Sequence, residues 1–301
     1  EIAWFVPVII GAVIGAYTGA SVQSGTFDFT HWDSDAWKGA IVGAFIGAGI
    51  GSAFSGIIHA TGVFNIANGA IGKAYGLTST LIQGGNTNMV TSLIMGHGSI
   101  DNLWKSAIAG SASGIYSASG GFGLASAGLA GKLAYAAIGS AGQSMGNNWA
   151  NGGSNVSIAA GPVNLTLSKG KVSVRWQNNL GNIAMNAFGL INTAFGGKVE
   201  WDWNNLTPIY SGGMIKMPGY DAGFSPYVVT GTANMPSNLK SHEFHHVWQS
   251  RSLGDMFFPH YIMEGTNAVL MNRFKFNAPN GSATFVSYYN YYDAVDEYPW
   301  W

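Results

Sequence analysis

The chain has 301 residues, room for one large domain or two ordinary ones, and its formal net charge is −1. Only 9% of its residues are charged, against roughly a quarter in ordinary globular proteins, so no basic surplus exists to neutralise phosphates and nucleic acid is a poor partner. Cysteine is absent, which removes disulfides, thiolate zinc sites and cysteine nucleophiles and leaves any metal to His and carboxylate ligands.

Glycine is over-used, at 44 residues, and is concentrated in the first 150 positions with Ala, Ser and Ile. The second half carries the Trp, Tyr, Asn and charges of an ordinary fold. The run from Asn147 to Ser154 (NNWANGGS) reads as a loop and sets a boundary near 148–154, giving regions 1–150 and 151–301.

In the first region, Gly11, Gly15 and Gly19 recur every four residues inside the apolar stretch Ile2–Ala20. Gly39, Gly43, Gly47 and Gly51 repeat the pattern between Trp37 and Ile58. That spacing places each set on one helix face, where two backbones can come close. A third Gly/Ala/Ser-rich region runs from Trp104 to Met145, and the loop Phe27–Asp35 holds most of this half's acidic residues. Two readings follow. Either the helices pack on each other or on the rest of the protein, or residues 2–58 form a membrane-inserting hairpin, each arm being near the roughly 20 residues that span a bilayer. Pro7 and the acidic N-terminal charge argue against a secretory signal peptide.

In the second region, Val163, Leu165 and Leu167 alternate with polar residues, as do Val172, Val174 and Trp176, and Ser168–Lys171 makes the turn of a β-hairpin. Gly181–Phe195 reads as a short apolar helix and Val199–Met217 as extended chain. The β-prone segment Tyr227–Thr232 is a strand, with an edge position that would align an extended peptide as one possibility. Ser237 then caps a helix from Asn238 to Ser252, stopped by Gly254.

That helix carries H-E-F-H-H at positions 242–246. His242 and His246 are four apart, so both imidazoles leave one face and can share a metal ion. Glu243 stands where a carboxylate can take a proton from water on that metal, and zinc brings the pKa of such water to about 7. The bland alternative is a surface helix with clustered polar residues. His245, three after His242, is either a rival ligand or a group behind the ligands, while Trp248 and Gln249 read as packing residues.

Catalytic zinc usually has three protein ligands, and Glu264 in Y-I-M-E-G-T-N is the first choice for the third, 18 positions after His246. His260, Asp293, Asp296 and Glu297 are the other options. The segment resembles the gluzincin metallopeptidases, in which a Glu-Gly pair opens a second helix and the Glu binds zinc, one residue short of their commonest spacing. The metzincin pattern fails, because its third His would fall on Ser252.

As a whole the chain resembles the C-terminal toxin region of Rhs-type polymorphic toxins. The resemblance rests on the apolar start E-I-A-W-F-V-P, the G-A-V-I-G-A-Y-T-G-A run with its second glycine zipper, and the segment H-E-F-H-H-V-W-Q-S-R-S-L-G. It implies cleavage from an Rhs shell, export by a contact-dependent secretion apparatus, a cognate immunity protein and action inside a target cell. The expected fold is α+β: a glycine-rich α-helical N-terminal region followed by a zincin-like metallohydrolase domain. The expected function is a secreted antibacterial effector, a zinc metallopeptidase hydrolysing a peptide or protein, with Glu243 as catalytic base and His242, His246 and Glu264 as zinc ligands. The rival is a membrane-inserting toxin whose HExxH site is structural or autoprocessing.

Overall fold

The computed structural model describes residues 5–60, 70–176, 186–187, 189–191, 193–211, 229–231, 237–257 and 259. Helices and two small three-stranded sheets make it a mixed α and β chain, as expected in broad class. It forms two compact units, one drawn from Glu1–Ile115 and Gly146–Gly153, the other from Tyr116–Met145 and Ser154–Phe258.

The described elements of the first unit are helical. Helices α1 (Phe5–Ser24), α2 (Ser34–Ala60) and α3 (Ala70–Ile94) belong to it, with most of α4 (Ile100–Ala118) and the last turns of α5 (Gly128–Asn151). Asp33 caps α2, its Oδ1 accepting the N–H groups of Asp35 (3.0 Å) and Ala36 (2.8 Å). The two glycine rows mesh. A Cβ on Gly15 would land on the Gly43 carbonyl oxygen, one on Gly19 on the Gly39 carbonyl, and one on Gly47 on the Gly11 carbonyl, so α1 and α2 lie backbone against backbone, antiparallel. Small apolar clusters flank the seam: Val8, Ala48 and Ile82 in one, Ala20, Ala36 and Ala40 in the other. Among the described residues, no helix is long and apolar enough to cross a membrane.

The run Asn147–Asn151, expected as loop, continues α5, which ends only at Gly152. Tertiary contacts override the loop-prone composition. Trp149 packs edge-on against Trp104 with ring centroids 5.3 Å apart, and Asn151 Oδ1 accepts from Ser92 Oγ at 3.0 Å.

The second unit holds both sheets. Strands β1 (Val156–Ala160), β2 (Val163–Ser168) and β3 (Lys171–Trp176) form an antiparallel sheet in that order. The expected hairpin is β2–β3, with Leu165 opposite Val174 and Ser168 opposite Lys171. Its two-residue turn, Lys169 and Gly170, has positive φ at both positions (47° and 76°), the geometry that matches strand twist. Strands β4 (Lys198–Asp202), β5 (Thr207–Ser211) and β6 (Val229–Gly231) form the second sheet, β4 and β5 antiparallel, β5 and β6 parallel. Strand β6 falls within the expected Tyr227–Thr232 and lies at the edge in the sheet's strand order. Of the expected helix Gly181–Phe195, the described residues 186–187 and 189–191 are helical.

Helix α5 binds the first sheet through its serines: Ser140 Oγ accepts from the Ala159 N–H (2.7 Å) and Ser144 Oγ from the Ser157 N–H (3.0 Å). The unit's core joins Tyr135, Ala136 and Ala159 to Trp248 of helix α6 (Ser237–Leu253). Burial pushes the Tyr135 phenol up to about 12, and its hydroxyl donates to the Ser117 carbonyl at 3.1 Å.

Candidate functional site

Helix α6 starts at Ser237 and ends at Leu253, within one residue of the range expected from the sequence. Gly254 follows at φ 58°, the left-handed conformation that stops a helix cheaply only with glycine. The alternative of a surface helix does not hold, because every residue from His246 to Leu253 is buried.

Two sets of contacts fix the helix. On one side Ser252 lies over Gly139 of α5, where a Cβ would collide with the Ser252 side chain. On another, the turn between β4 and β5 offers Asn205. Its Oδ1 accepts from Trp248 Nε1 (3.1 Å) and from Lys132 Nζ (2.7 Å), and its backbone carbonyl accepts from Arg251 (2.7 Å). Arg251 also donates to the Leu206 carbonyl at 2.7 Å and stacks over the Trp248 ring at 4.5 Å. Asp202 orients the hub by accepting the Asn205 N–H at 2.8 Å. Burial holds the Lys132 ammonium below the usual lysine range, opposed by the Asp202 carboxylate. Trp248 is thus the packing residue it was expected to be.

With the helix held, Glu243 and His246 are 5% and 4% exposed, a carboxylate and an imidazole one turn apart. His246 Nδ1 lies 2.9 Å from Gln249 Oε1, and its ring packs edge-on to Phe257, centroids 6.0 Å apart. A carbonyl oxygen only accepts, so this contact is made with the proton on Nδ1, which in the neutral ring leaves the lone pair on Nε2. In that tautomer Nε2 is the nitrogen with a lone pair to offer a metal. Gln249, read from sequence as packing, lies against the His246 ring nitrogen. The available signal was its position three residues after the second motif histidine. Long-range proton–nitrogen correlation spectra of the full chain should place the neutral His246 proton on Nδ1, and Gln249→Leu should move it toward Nε2; an unchanged pattern would assign the tautomer to another contact.

His242 lies in the helix, but its side chain is outside the described part, so its partnership with His246 rests on the four-residue spacing. Glu264 and its alternatives His260, Asp293, Asp296 and Glu297 also lie outside the described residues. His245 is half-buried. Among the described residues, no three His, Asp or Glu side chains gather as a metal-binding group. Asn205, Arg251 and Lys132, which anchor the helix, carried no sequence signal. No family model, no curated protein and no solved structure matches the chain.

Proposed function

We propose that the chain is a zinc-dependent metallopeptidase of the zincin type, acting as the toxin part of an Rhs-type effector delivered into a target cell. The observation that carries this is the buried Glu243–His246 pair, with His246 Nδ1 held 2.9 Å from Gln249 Oε1. Metal-ligating histidines usually donate their second nitrogen to such an acceptor. His242, His246 and Glu264 would hold the zinc, a nitrogen and oxygen set that suits this metal. Zinc there would supply a Lewis acid for the substrate carbonyl and a lowered water pKa. Glu243 takes the proton from the attacking water and passes it to the leaving amine. Strand β6, at the edge among the described strands, would pair with an extended peptide. Delivery, a cognate immunity protein and an Rhs shell rest on the sequence resemblance. The rival, a membrane-inserting toxin, is favoured by the exposed apolar surface of the meshed α1–α2 pair.

Elemental analysis of the full chain purified without chelator should find one zinc per molecule. His242→Ala should lose it. Glu264→Ala should weaken binding far more than Asp293→Ala, since Glu264 follows the motif helix at gluzincin-like spacing. A metal-free parent chain sinks the reading; full retention in Glu264→Ala moves the third ligand to another of the acids or His260.

A further inference from the structure

The helical unit has its polarity inverted. Small polar side chains are buried between its helices: Ser106 bonds Ser92 at 2.6 Å, Ser92 donates to Asn151 at 3.0 Å, Ser111 Oγ donates to the Leu81 carbonyl at 2.8 Å, and Asn86 Nδ2 donates to the Phe45 carbonyl at 3.1 Å. Asn88 is buried with both ends of its amide unbonded. Many large aliphatic side chains point outward instead, although Val8 and Ile82 are buried. Ile14 on α1 is 60% exposed, Ile46 on α2 50% and Leu93 on α3 52%, with Ile10, Ile50 and Val90 similarly placed. A water-soluble bundle puts these two classes the other way round. Glycine seams and short interhelical hydrogen bonds are the contacts helices use when their outer surface faces hydrocarbon.

Charge is segregated as well. Helix α1 has none, and none occurs in residues 39–58, 74–94 or 106–118. A group of charges sits at the start of α2, where Lys38 Nζ bridges Asp35 (2.8 Å) and Asp101 (2.5 Å) and so ties the start of α2 to the start of α4. An aromatic cluster sits beside them: Trp32 lies 5.5 Å from Tyr17 and 5.7 Å from Trp37, ring centroid to centroid. Tyr and Trp next to charge, with an uncharged apolar body beyond, is the profile of a headgroup interface followed by an acyl layer.

We propose that this unit binds the hydrocarbon layer of a lipid bilayer through the exposed aliphatic faces of α1, α2 and α3, with the Trp32–Lys38 end at headgroup level. It enters from one side, as interfacial helices do, and no helix needs to cross. This is separate from the metallopeptidase reading and stands or falls without it.

The absence of cysteine makes Ile14→Cys and Ile46→Cys single labelling sites, with Val172→Cys on β3 of the other unit as control. Each full-length variant, carrying the fluorophore NBD, is mixed with phosphatidylcholine vesicles bearing nitroxides on the acyl chains, with and without phosphatidylglycerol. Labels at 14 and 46 should brighten and be quenched on phosphatidylcholine alone, while the label at 172 stays unquenched. The double change Ile10→Asp and Ile14→Asp, on side chains already facing out, should keep the helical circular dichroism and reduce vesicle partitioning of the chain labelled at 46 by more than about tenfold, since carboxylates are expelled from hydrocarbon. Unquenched labels at 14 and 46 overturn the proposal, and so does quenching that requires phosphatidylglycerol, which would be headgroup electrostatics. Equal quenching at 172 overturns it as unspecific adsorption. A change without lipid that grows with protein concentration replaces the bilayer with a second copy of the chain.

Discussion

Glu243→Gln is expected to lower hydrolysis by about 10²–10⁴-fold while leaving the zinc content unchanged. The substitution keeps the side chain's shape in a position that is 5% exposed, so packing on α6 is retained, but an amide cannot take a proton from water. This separates base from ligand, because His242→Ala should lose activity together with metal. The readouts are peptide hydrolysis, elemental analysis and killing of bacterial host cells that express the chain without an immunity protein. Full toxicity in Glu243→Gln would transfer the killing to the membrane-active helices and leave the HExxH site structural or autoprocessing.

Gly43→Ala is expected to destabilise the helical unit by about 2 kcal/mol, although alanine is the better helix former by about 1 kcal/mol. The added methyl would land on the Gly15 carbonyl oxygen and lie 3.1 Å from the Gly19 Cα. Both obstacles are backbone, so α1 and α2 must separate along the seam. Gly142 on α5 supplies the control: it is helical, exposed, and a Cβ there meets nothing within 4 Å. Gly142→Ala should therefore gain the propensity term alone. In thermal unfolding followed by circular dichroism, Gly43→Ala should melt about 4–8 °C lower and Gly142→Ala about 2–4 °C higher. If Gly43→Ala melts at or above the parent, the helices do not meet at this separation.

Much of this architecture was written locally. The four-residue glycine spacing fixes a helix face, and Gly254 stops the motif helix, because such stops act within one turn. Alternation around Lys169–Gly170 fixes the β2–β3 hairpin and its register in the same way. The His242–His246 spacing and the neighbouring Glu243 are likewise properties of one helix.

Contacts distant in sequence decided the rest. Helix α3 has no clean apolar stripe to announce it, because the polar Thr87, Asn88 and Ser92 are buried beside Ile82 and Met89 while Val90, Leu93 and Ile94 are exposed. Asn147–Asn151 became helix because Trp104 and Ser92 received it. That Tyr116–Met145 packs with the sheets follows from Gly139 beneath Ser252 and from Ser140 and Ser144 on β1. The Asn205 hub joins residues more than 40 positions apart, and no local pattern encodes it. Spacing along the chain determines which side chains share a face; which faces meet, and therefore that Glu243 and His246 are buried, is determined only when the distant segments close on one another.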